Sequence, residues 1–373
     1  VKNTWDPAGI FNAGKITDTP PMHSSLRYAP GHHERQIHTY FDFTAQGGLL
    51  RALEQCNGSG DCRKTELSGG TMCPSYMGTR EEHTTTRARA NILREFLTHS
   101  PKQNPFDHAE AYEVLDLCLS CKGCKSECPS NVDMARYKAE FLQHYYDSNG
   151  LPLRTRMIAN IAVLNRWGSL LPGLYNQVLK NPFLMSWLKR VLSIASQRSL
   201  PPLSRFRLSR WVRRLNRRQD PLSFPNGQVW LFADEFTEYN DAEIGRKAVL
   251  LLNALGYYVS VPGHYQSGRA YLSKGLVRKA ARLAGKNVDA LKGLVNPSTP
   301  LIGIEPSGIL TFRDEYPDLV EKDIADQARE LASACLLFEE FIQREMQAGR
   351  IRSDQFTTSE KKIKLHGHCH QKA

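Results

Sequence analysis

The spacing of apolar residues along the chain changes at about residue 228. From there, short apolar runs alternate with longer segments in which apolar residues recur every three or four positions. Short apolar runs between turns are typical of buried strands, and the three-to-four spacing is typical of amphipathic helices. The sequence therefore predicts strands at 229–233, 258–261, 301–304 and 363–365, and helices at 241–255, 273–291 and 323–346.

Strands that alternate with helices usually pair in parallel, because each helix returns the chain to the same edge of the sheet. We therefore expect residues 226–373 to form a parallel α/β domain. Upstream, residues 82–97 and 109–119 read as helices, and a further helix follows Ser130 and Asp133, a capping-box-like pair. Its apolar stripe, Met134, Tyr137, Phe141 and Tyr145, is expected in the core.

The predicted fold class is thus α plus α/β, in four consecutive segments. Residues 1–50 are rich in Gly, Pro and Thr and read as a turn-rich tail, and residues 51–150 as a helical domain. Residues 151–225 form a basic helical linker interrupted by Pro201-Pro202, and residues 226–373 form the α/β domain.

Seven of the nine cysteines fall between Cys56 and Cys128. Four of them follow the spacing C-x2-C-x2-C-x3-C-P, which is typical of iron–sulfur cluster ligands. In this motif three thiolates face one cluster and the fourth faces another. The four are Cys118, Cys121, Cys124 and Cys128, the last followed by Pro129.

A looser set of cysteines lies upstream, and it ends in a second Cys-Pro pair. If each Cys-Pro cysteine serves the other site, as in two-cluster ferredoxins, two clusters follow. Cluster one would take Cys118, Cys121, Cys124 and Cys73, and cluster two would take Cys56, Cys62 and Cys128. The second is a [3Fe-4S] cluster, or a [4Fe-4S] cluster whose remaining iron is held by Ser59, by water or by a partner.

Zinc is the alternative reading of the same cysteines, and it would make the chain a zinc-stabilised binding module. A disulfide framework is not expected, because the cysteines are bunched and no secretory signal is visible. Cys335 reads as a small buried residue on an apolar helix, whereas Cys369, between two histidines, is either a ligand, a redox thiol or inert.

The net charge of +11 comes from one segment. Residues 151–219 hold 14 Lys and Arg side chains and no Asp or Glu, while the rest of the chain has 35 basic and 38 acidic residues. A solvated linker, contact with an anionic membrane surface and an acidic protein partner remain open. Nucleic acid is not expected as a partner, because no recognition motif accompanies the charge.

Both ends of the chain resemble known families. The phrase from Asp6 to Lys15 resembles the closing segment of flavin-linked oxidases of the vanillyl-alcohol oxidase type, with Ala13 in place of the usual Pro. Residues 226–373 resemble the cysteine-rich domain of heterodisulfide reductases. In that comparison Gln266, Ser267 and Gly308 occupy cysteine positions of the first repeat, so this repeat is expected to bind no cluster. His366 to Gln371 resembles the truncated start of a second repeat.

Taken together, the chain resembles the iron–sulfur portion of fused, FAD-linked D-2-hydroxyacid dehydrogenases. The resemblance implies that FAD in a flavin domain, on the same or a partner chain, oxidises a substrate such as D-lactate, D-2-hydroxyglutarate or glycolate. Electrons then pass singly through the clusters to a quinone or a carrier protein. A cytoplasmic location is expected, with contact at the inner face of the membrane as one option.

Whether this chain is itself an enzyme is left open by its sequence. No nucleotide-binding glycine motif, phosphate loop or catalytic triad pattern stands out. The chain starts at Val1 and ends in a strand-like segment, so we expect it to be a piece of a longer protein. A free-standing electron-transfer subunit is the alternative to a segment of a fused dehydrogenase.

Overall fold

The computed structural model describes residues 1–15, 17–24, 26–28 and 31–373. Two compact units are distinguished, Val1–Ile37 and His38–Ala373. The first contains a single turn of helix, α1 (Lys2–Trp5), followed by turns. The carboxylate of Asp6 accepts hydrogen bonds from the backbone N–H groups of Ile10 and Phe11, at 2.9 and 2.8 Å, and so closes the next turn.

The second unit begins with the cysteine-bearing helical region. Thr85 caps one of its long helices by accepting a hydrogen bond from the N–H of Ala88 at 3.0 Å, and Asp133 caps the other through the N–H of Arg136 at 3.3 Å. The helices are α2 (Leu49–Glu54), α3 (Pro74–Thr79), α4 (Thr86–His99), α5 (Ala109–Asp116), α6 (Gly123–Glu127) and α7 (Met134–Asn149).

Helix α7 forms the centre of this region. Met134, Tyr137 and Phe141 are buried and Tyr145 is half-buried, as the apolar stripe predicts. The ring of Phe141 meets the edge of Phe106 at 6.2 Å, and Tyr145 stacks on Tyr112 at 4.8 Å between ring centroids. Helix α7 therefore forms part of the packed core of the region that carries the cysteines.

The basic segment is helical, as predicted from its sequence. Leu208 and Val212 of its last helix are fully buried in the core of the α/β region. Gly245 allows this contact, because a Cβ atom there would lie 2.4 Å from the Leu208 side chain. The segment contains α8 (Leu153–Ala159), α9 (Ile161–Gly168), α10 (Pro172–Lys180), α11 (Pro182–Val191) and α12 (Leu208–Asn216).

The remaining part contains a four-stranded, all-parallel sheet in the order β2-β1-β3-β4. The buried face of the sheet is apolar, and Val229, Leu231, Val259 and Ile302 are almost completely shielded from solvent. The strands are β1 (Gln228–Phe232), β2 (Tyr258–Ser260), β3 (Leu301–Gly303) and β4 (Cys335–Leu337). The helices are α13 (Ala242–Ala254), α14 (Arg269–Ser273), α15 (Val277–Leu291), α16 (Pro306–Asp314), α17 (Tyr316–Leu319), α18 (Ala325–Ser333) and α19 (Phe338–Gln347).

The predicted mixture of helices with a parallel sheet is confirmed, and three predicted elements are wrong. The helix predicted over 323–346 is two helices with strand β4 between them. Cys335 is buried as expected, but it lies in that strand, where it pairs with Leu301. The helix predicted over 273–291 is broken by a turn at Gly275, whose Cβ would clash with Leu142 of α7 at 2.1 Å. Residues 363–365 form no strand.

The four domain boundaries predicted from the sequence stay predictions. Within the described ranges, no helix has the length and apolar character needed to cross a membrane.

Candidate functional site

Four cysteines from two distant stretches of the chain line one small cavity. They are Cys73, Cys118, Cys121 and Cys124, the set predicted for cluster one. Cys73 and Cys124 are buried, and Cys118 and Cys121 are partly exposed. The structure therefore brings this predicted set together, while ligation by it stays a prediction.

The loop that carries three of these cysteines has an unusual backbone. Ser120 and Lys122, which flank Cys121, have φ angles of 53° and 63°. This left-handed conformation is unfavourable for side chains other than Gly by about 1–2 kcal/mol per residue. The ammonium of Lys138 in α7 supports the loop by donating to the carbonyl oxygen of Cys118 at 2.7 Å. The strained turn lets residues three apart present their sulfurs to the same cavity.

The thiols of Cys121 and Cys124 are largely removed from solvent and also receive backbone hydrogen bonds. Burial raises the pKa of the Cys121 thiol to about 11, although a hydrogen bond from the Gly123 N–H opposes the shift. Burial also raises the pKa of Cys124, against a hydrogen bond from the Met134 N–H. Both thiols are therefore protonated at neutral pH unless a bound cation stabilises the thiolates, and metal binding at this site must release protons.

Arg89 of α4 lies against the same cavity. It is only 1% exposed, its Nη1 donates to the Cys73 sulfur at 3.6 Å, and its Nε donates to the carbonyl oxygen of Val114 at 3.0 Å. Its Nη2 is buried and has no hydrogen-bond partner among the described residues. In the described part of the chain no carboxylate pairs with this guanidinium. An anionic group bound by the cysteines would supply the missing partner, so the site fits an iron–sulfur cluster with thiolate ligands.

Glu127 links the two cysteine stretches, and sequence reasoning missed it. Its carboxylate accepts hydrogen bonds from the N–H groups of Thr71 and Met72, at 2.5 and 3.0 Å, immediately before Cys73. Gly70 permits this approach, since a Cβ there would lie 2.6 Å from the carboxylate. The signals available in the sequence were a lone carboxylate inside the C-x3-C spacing and the Gly69-Gly70 pair shortly before Cys73.

Lys122 was also missed, although it lies inside the motif. Its ammonium is buried and pairs with Glu315 at 2.5 Å and with Asp314 at 3.0 Å. Arg269 reaches the same Glu315 at 2.7 Å. Although burial opposes ionisation, Lys122 and Arg269 lower the pKa of Glu315 to about 2. These ion pairs join the cysteine loop to α14, to α16 and to the residue that follows α16.

Of the predicted ligands of cluster two, Cys56 lies close enough to Cys62 to influence its pKa. Cys62 is buried near the N-terminus of α4, where the N–H of Arg87 and the hydroxyl of Thr85 are its hydrogen-bond partners, and Cys56 is half-buried. Cys128 is buried at the end of α6 and does not line the first cavity. In the described part of the chain, no hydrogen bond joins Cys128 to Cys56 or Cys62.

Ser59, the alternative fourth ligand, is exposed between Gly58 and Gly60, which both have positive φ angles. The cluster-two ligand set therefore stays a prediction. Among the residues that the structure describes, no group of three or more His, Cys, Asp or Glu side chains is positioned around a single metal ion.

The end of the chain contacts the cysteine loop. Cys369 is close enough to Cys121 to influence its pKa, and His370 contacts the carbonyl oxygen of Ser120 at 3.2 Å. Burial, reinforced by Arg269 and Lys122, lowers the pKa of His370 to about 4, so this imidazole is neutral near pH 7. Cys369 therefore lies beside the loop that carries Cys118 and Cys121, a contact that the sequence did not predict.

In the α/β region, other residues stand at the positions where the cysteine-rich domains have cysteines, and polar groups surround these positions. The hydroxyl and N–H of Ser267 both donate to the carboxylate of Glu235, at 2.7 and 3.1 Å. Burial raises the pKa of Glu235. A Cβ at Gly308 would lie 3.3 Å from Asp234, which follows strand β1 as Glu235 does. These positions therefore meet at one edge of the sheet.

Comparison with known proteins identifies the cysteine-rich stretch. Residues 55–133 match the family of the 4Fe-4S dicluster domain. Iron–sulfur clusters are thus supported as the cofactor.

Curated relatives are similar to most of the chain. It is 25% identical over 367 residues to a D-2-hydroxyglutarate dehydrogenase of Pantoea ananatis, a match that covers 86% of this chain and 35% of the relative. The corresponding Escherichia coli protein is 26% identical over 363 residues, with 85% and 35% covered. The chain thus spans about a third of the length of these relatives.

A second type of relative is a separate polypeptide of a multi-subunit enzyme. One subunit of the Escherichia coli anaerobic glycerol-3-phosphate dehydrogenase is 26% identical over 180 residues, a match that covers 48% of this chain and 45% of the relative. No solved structure matches the chain. These similarities confirm the resemblance expected from the cysteine motifs, which is to iron–sulfur segments of FAD-linked dehydrogenases.

Proposed function

We propose that this chain is the electron-transfer segment of a flavin-dependent D-2-hydroxyacid dehydrogenase. The observation that carries the proposal is the cavity lined by Cys73, Cys118, Cys121 and Cys124. The buried guanidinium of Arg89 lies against it, and among the described residues no carboxylate pairs with this group. When bound, iron–sulfur clusters accept and release single electrons. The architecture proposed is a ferredoxin-like two-cluster domain followed by a cysteine-rich-type α/β domain.

The residues of the chain have distinct roles in this proposal. Cys73, Cys118, Cys121 and Cys124 hold a [4Fe-4S] cluster, and Cys56, Cys62 and Cys128, with or without Ser59, hold a second cluster of three or four irons. Arg89 and the backbone N–H groups of Gly123 and Met134 stabilise negative charge on the sulfurs. Glu127 and Lys122 fix the positions of the cysteine stretches.

The flavin and the hydroxyacid are assigned to a flavin domain on the same or a partner chain. The support is the similarity to two D-2-hydroxyglutarate dehydrogenases and the flavoprotein-like phrase at Asp6 to Lys15. A free-standing electron-transfer subunit is the second candidate, supported by the likeness to one subunit of a glycerol-3-phosphate dehydrogenase. In both cases the acceptor is a quinone or a carrier protein.

Metal analysis after anaerobic purification tests the iron–sulfur part. We expect iron and acid-labile sulfide in near-equal amounts, absorbance near 400 nm that dithionite bleaches, and an EPR signal on reduction. Cys124→Ser should remove the signal of one cluster and leave the other, whereas Cys335→Ser, a change at a cysteine remote from the cavity, should leave both. Stoichiometric zinc without iron would contradict the proposal and favour the zinc-stabilised module.

The hydroxyacid part needs a separate experiment. The protein is combined with its flavin domain under anaerobic conditions, and D-2-hydroxyglutarate, D-lactate or glycolate replaces dithionite. Appearance of the same EPR signals with one of these acids supports the assignment. If all three fail while dithionite still reduces the clusters, the substrate class is wrong and the iron–sulfur role is retained.

We also propose a peripheral contact with the inner face of the membrane through helices α10 and α11. Several large apolar side chains project into solvent here, among them Phe183 at 79% and Trp187 at 60% exposure. No carboxylate occurs within residues 151–219. Exposed apolar side chains interspersed with cations are typical of interfacial helices on anionic lipid. A quinone acceptor would be reached from this position.

A further inference from the structure

A cavity that no cysteine lines is present elsewhere in the molecule. It has a volume of about 560 Å³ and lies in the α/β region. Part of its wall is formed by Ala233, Glu235 and Glu238, which follow strand β1, and another part by residues 261–266, which follow strand β2. In open parallel sheets, ligands bind outside the carboxyl ends of the strands.

Six cations line this cavity, which we call the basic cavity. They come from three helical segments, so their convergence is not visible in any one stretch of sequence. The six are Arg166 of α9, Arg207 immediately before α12, Arg213 within α12, and Lys279, Arg282 and Lys286 of α15. The last three are spaced three and four residues apart and therefore share one face of their helix.

The carboxylates of the basic cavity do not neutralise these cations. Glu238 pairs with Arg207 at 3.1 Å and accepts hydrogen bonds from Ser209, so its charge is matched by one cation. Glu235 is turned to Ser267, and burial favours its neutral form. Within the described part of the chain, no ion pair joins the other five cations to a carboxylate.

Two of the cations are held in place by aromatic rings. The ammonium of Lys279 lies 5.5 Å from the centre of the Tyr271 ring, and that of Lys286 lies 5.5 Å from the centre of the Tyr265 ring. Cation–π contacts orient the ammonium groups without cancelling their charge. The basic cavity is thus a concave site with aromatic walls and five cations that pair with no carboxylate among the described residues.

We propose that the basic cavity binds a small organic anion with at least two negative charges. Its volume falls within the range of about 300–1,000 Å³ typical of small-molecule sites, which is too confined for a folded protein partner. Like-charged side chains brought together in a cleft focus a positive potential, and a polyvalent anion relieves their repulsion. Phosphate esters and dicarboxylates share this chemistry. This proposal does not rest on the presence of iron–sulfur clusters.

Isothermal titration calorimetry of the purified protein tests the site. Inorganic pyrophosphate and glutarate are titrated at matched ionic strength, with acetate as the monovalent control. Saturable binding of pyrophosphate alone assigns the site to phosphate groups, and saturable binding of glutarate alone assigns it to dicarboxylates. In either case acetate should bind much more weakly. If neither divalent anion shows saturable heat, the proposal is wrong.

A pair of charge variants locates the binding. Arg282→Gln combined with Lys286→Gln removes two exposed cations of the basic cavity and should weaken binding about tenfold, a typical loss for two exposed charge contacts. Arg210→Gln combined with Lys247→Gln removes the same charge from exposed positions that do not line the cavity, and should leave binding unchanged. Equal weakening in both would show general charge attraction and overturn the proposal. Unchanged iron content in all variants keeps this test separate from the electron-transfer role.

Discussion

At the level of single residues, Arg89 is the side chain whose surroundings depend most on what the cysteines hold. A buried cation without a counter-charge costs several kcal/mol. The guanidinium of Arg89 is buried next to Cys73 with one nitrogen unpaired. Thiolates around a cluster carry negative charge, so they would offset this cost.

Arg89 should therefore set the reduction potential of cluster one. Arg89→Met removes a buried positive charge and makes the reduced, more negative form of the cluster less favourable. We expect the midpoint potential to fall by about 60 mV or more, the equivalent of a tenfold change in a one-electron equilibrium. Potentiometric titration followed by EPR measures the shift.

Two further variants separate charge from structure. Arg89→Lys keeps a positive charge and should shift the potential by less than half as much. Arg94→Met removes a charge from the same helix but outside the cysteine cavity, and should leave the potential unchanged. A potential that is the same in the wild type and in Arg89→Met would show that Arg89 has only a packing role.

The sequence predicted the candidate cysteine ligands, but it did not predict the residues that fix their positions. The spacing of Cys118, Cys121 and Cys124 is local, so it could be recognised within a few positions. Glu127 contacts residues 55 and 56 positions away, and Lys122 contacts Asp314 across 192 positions. Partners at such separations are decided by the packed fold and leave no local pattern.

At the level of elements, the cysteine loop before α6 and helix α7 are joined to the α/β region by ion pairs, of which those to Glu315 are buried. Lys122 and Arg269 both pair with Glu315, and Arg136 of α7 pairs with Asp318 of α17. Removing one member of a buried ionic network leaves the others uncompensated, which is strongly destabilising. These contacts make the position of the cluster-one loop dependent on the α/β region.

Glu315→Gln should therefore lower stability by about 3 kcal/mol at pH 7. The pKa of Glu315 is lowered from about 4.5 to about 2 in the fold, so its carboxylate form is the stabilising one. This contribution is complete above about pH 4.5 and is lost as the pH falls toward 2. Thermal unfolding at pH 7, 5.5 and 3.5 should give a difference between wild type and variant that shrinks only at the lowest pH.

Glu321→Gln is the matched control for this experiment, because Glu321 is exposed. It should change the unfolding temperature little at any pH. A Glu315→Gln protein as stable as the wild type at pH 7 would contradict the proposed role of the network.

The elements predicted correctly are those whose pattern has one interpretation. Strands β1, β2 and β3 are short apolar runs between turns, and α13 has a clear helical period up to Gly256. Strand β4 was missed because its three residues follow the Ala-rich end of α18 and continue its apolar spacing. Only pairing with β3 distinguishes it from helix, and that pairing is a property of the assembled sheet.

At the level of the whole molecule, charge and exposed apolar surface coincide in one segment. Residues 151–219 contain 14 cations and no carboxylate. Helices α10 and α11 expose Leu174, Phe183 and Trp187, while Met185 is buried and anchors α11. A surface of this kind binds anionic lipid by two additive contributions, apolar insertion and charge attraction.

Vesicle co-sedimentation tests this surface. The protein should bind vesicles that contain phosphatidylglycerol and not vesicles of phosphatidylcholine alone, and high salt should weaken the binding. Lys189→Gln combined with Arg190→Gln should lower the affinity about thirtyfold, since each cation near an anionic surface contributes about 1 kcal/mol.

Apolar insertion predicts a different dependence on salt. Phe183→Ser combined with Trp187→Ser should weaken the binding that remains at high salt, where charge attraction is screened but burial of apolar surface is not. Leu222→Ser changes an exposed apolar residue outside the basic segment and should have no effect. Absence of binding to phosphatidylglycerol vesicles by the unmodified protein would exclude the membrane contact.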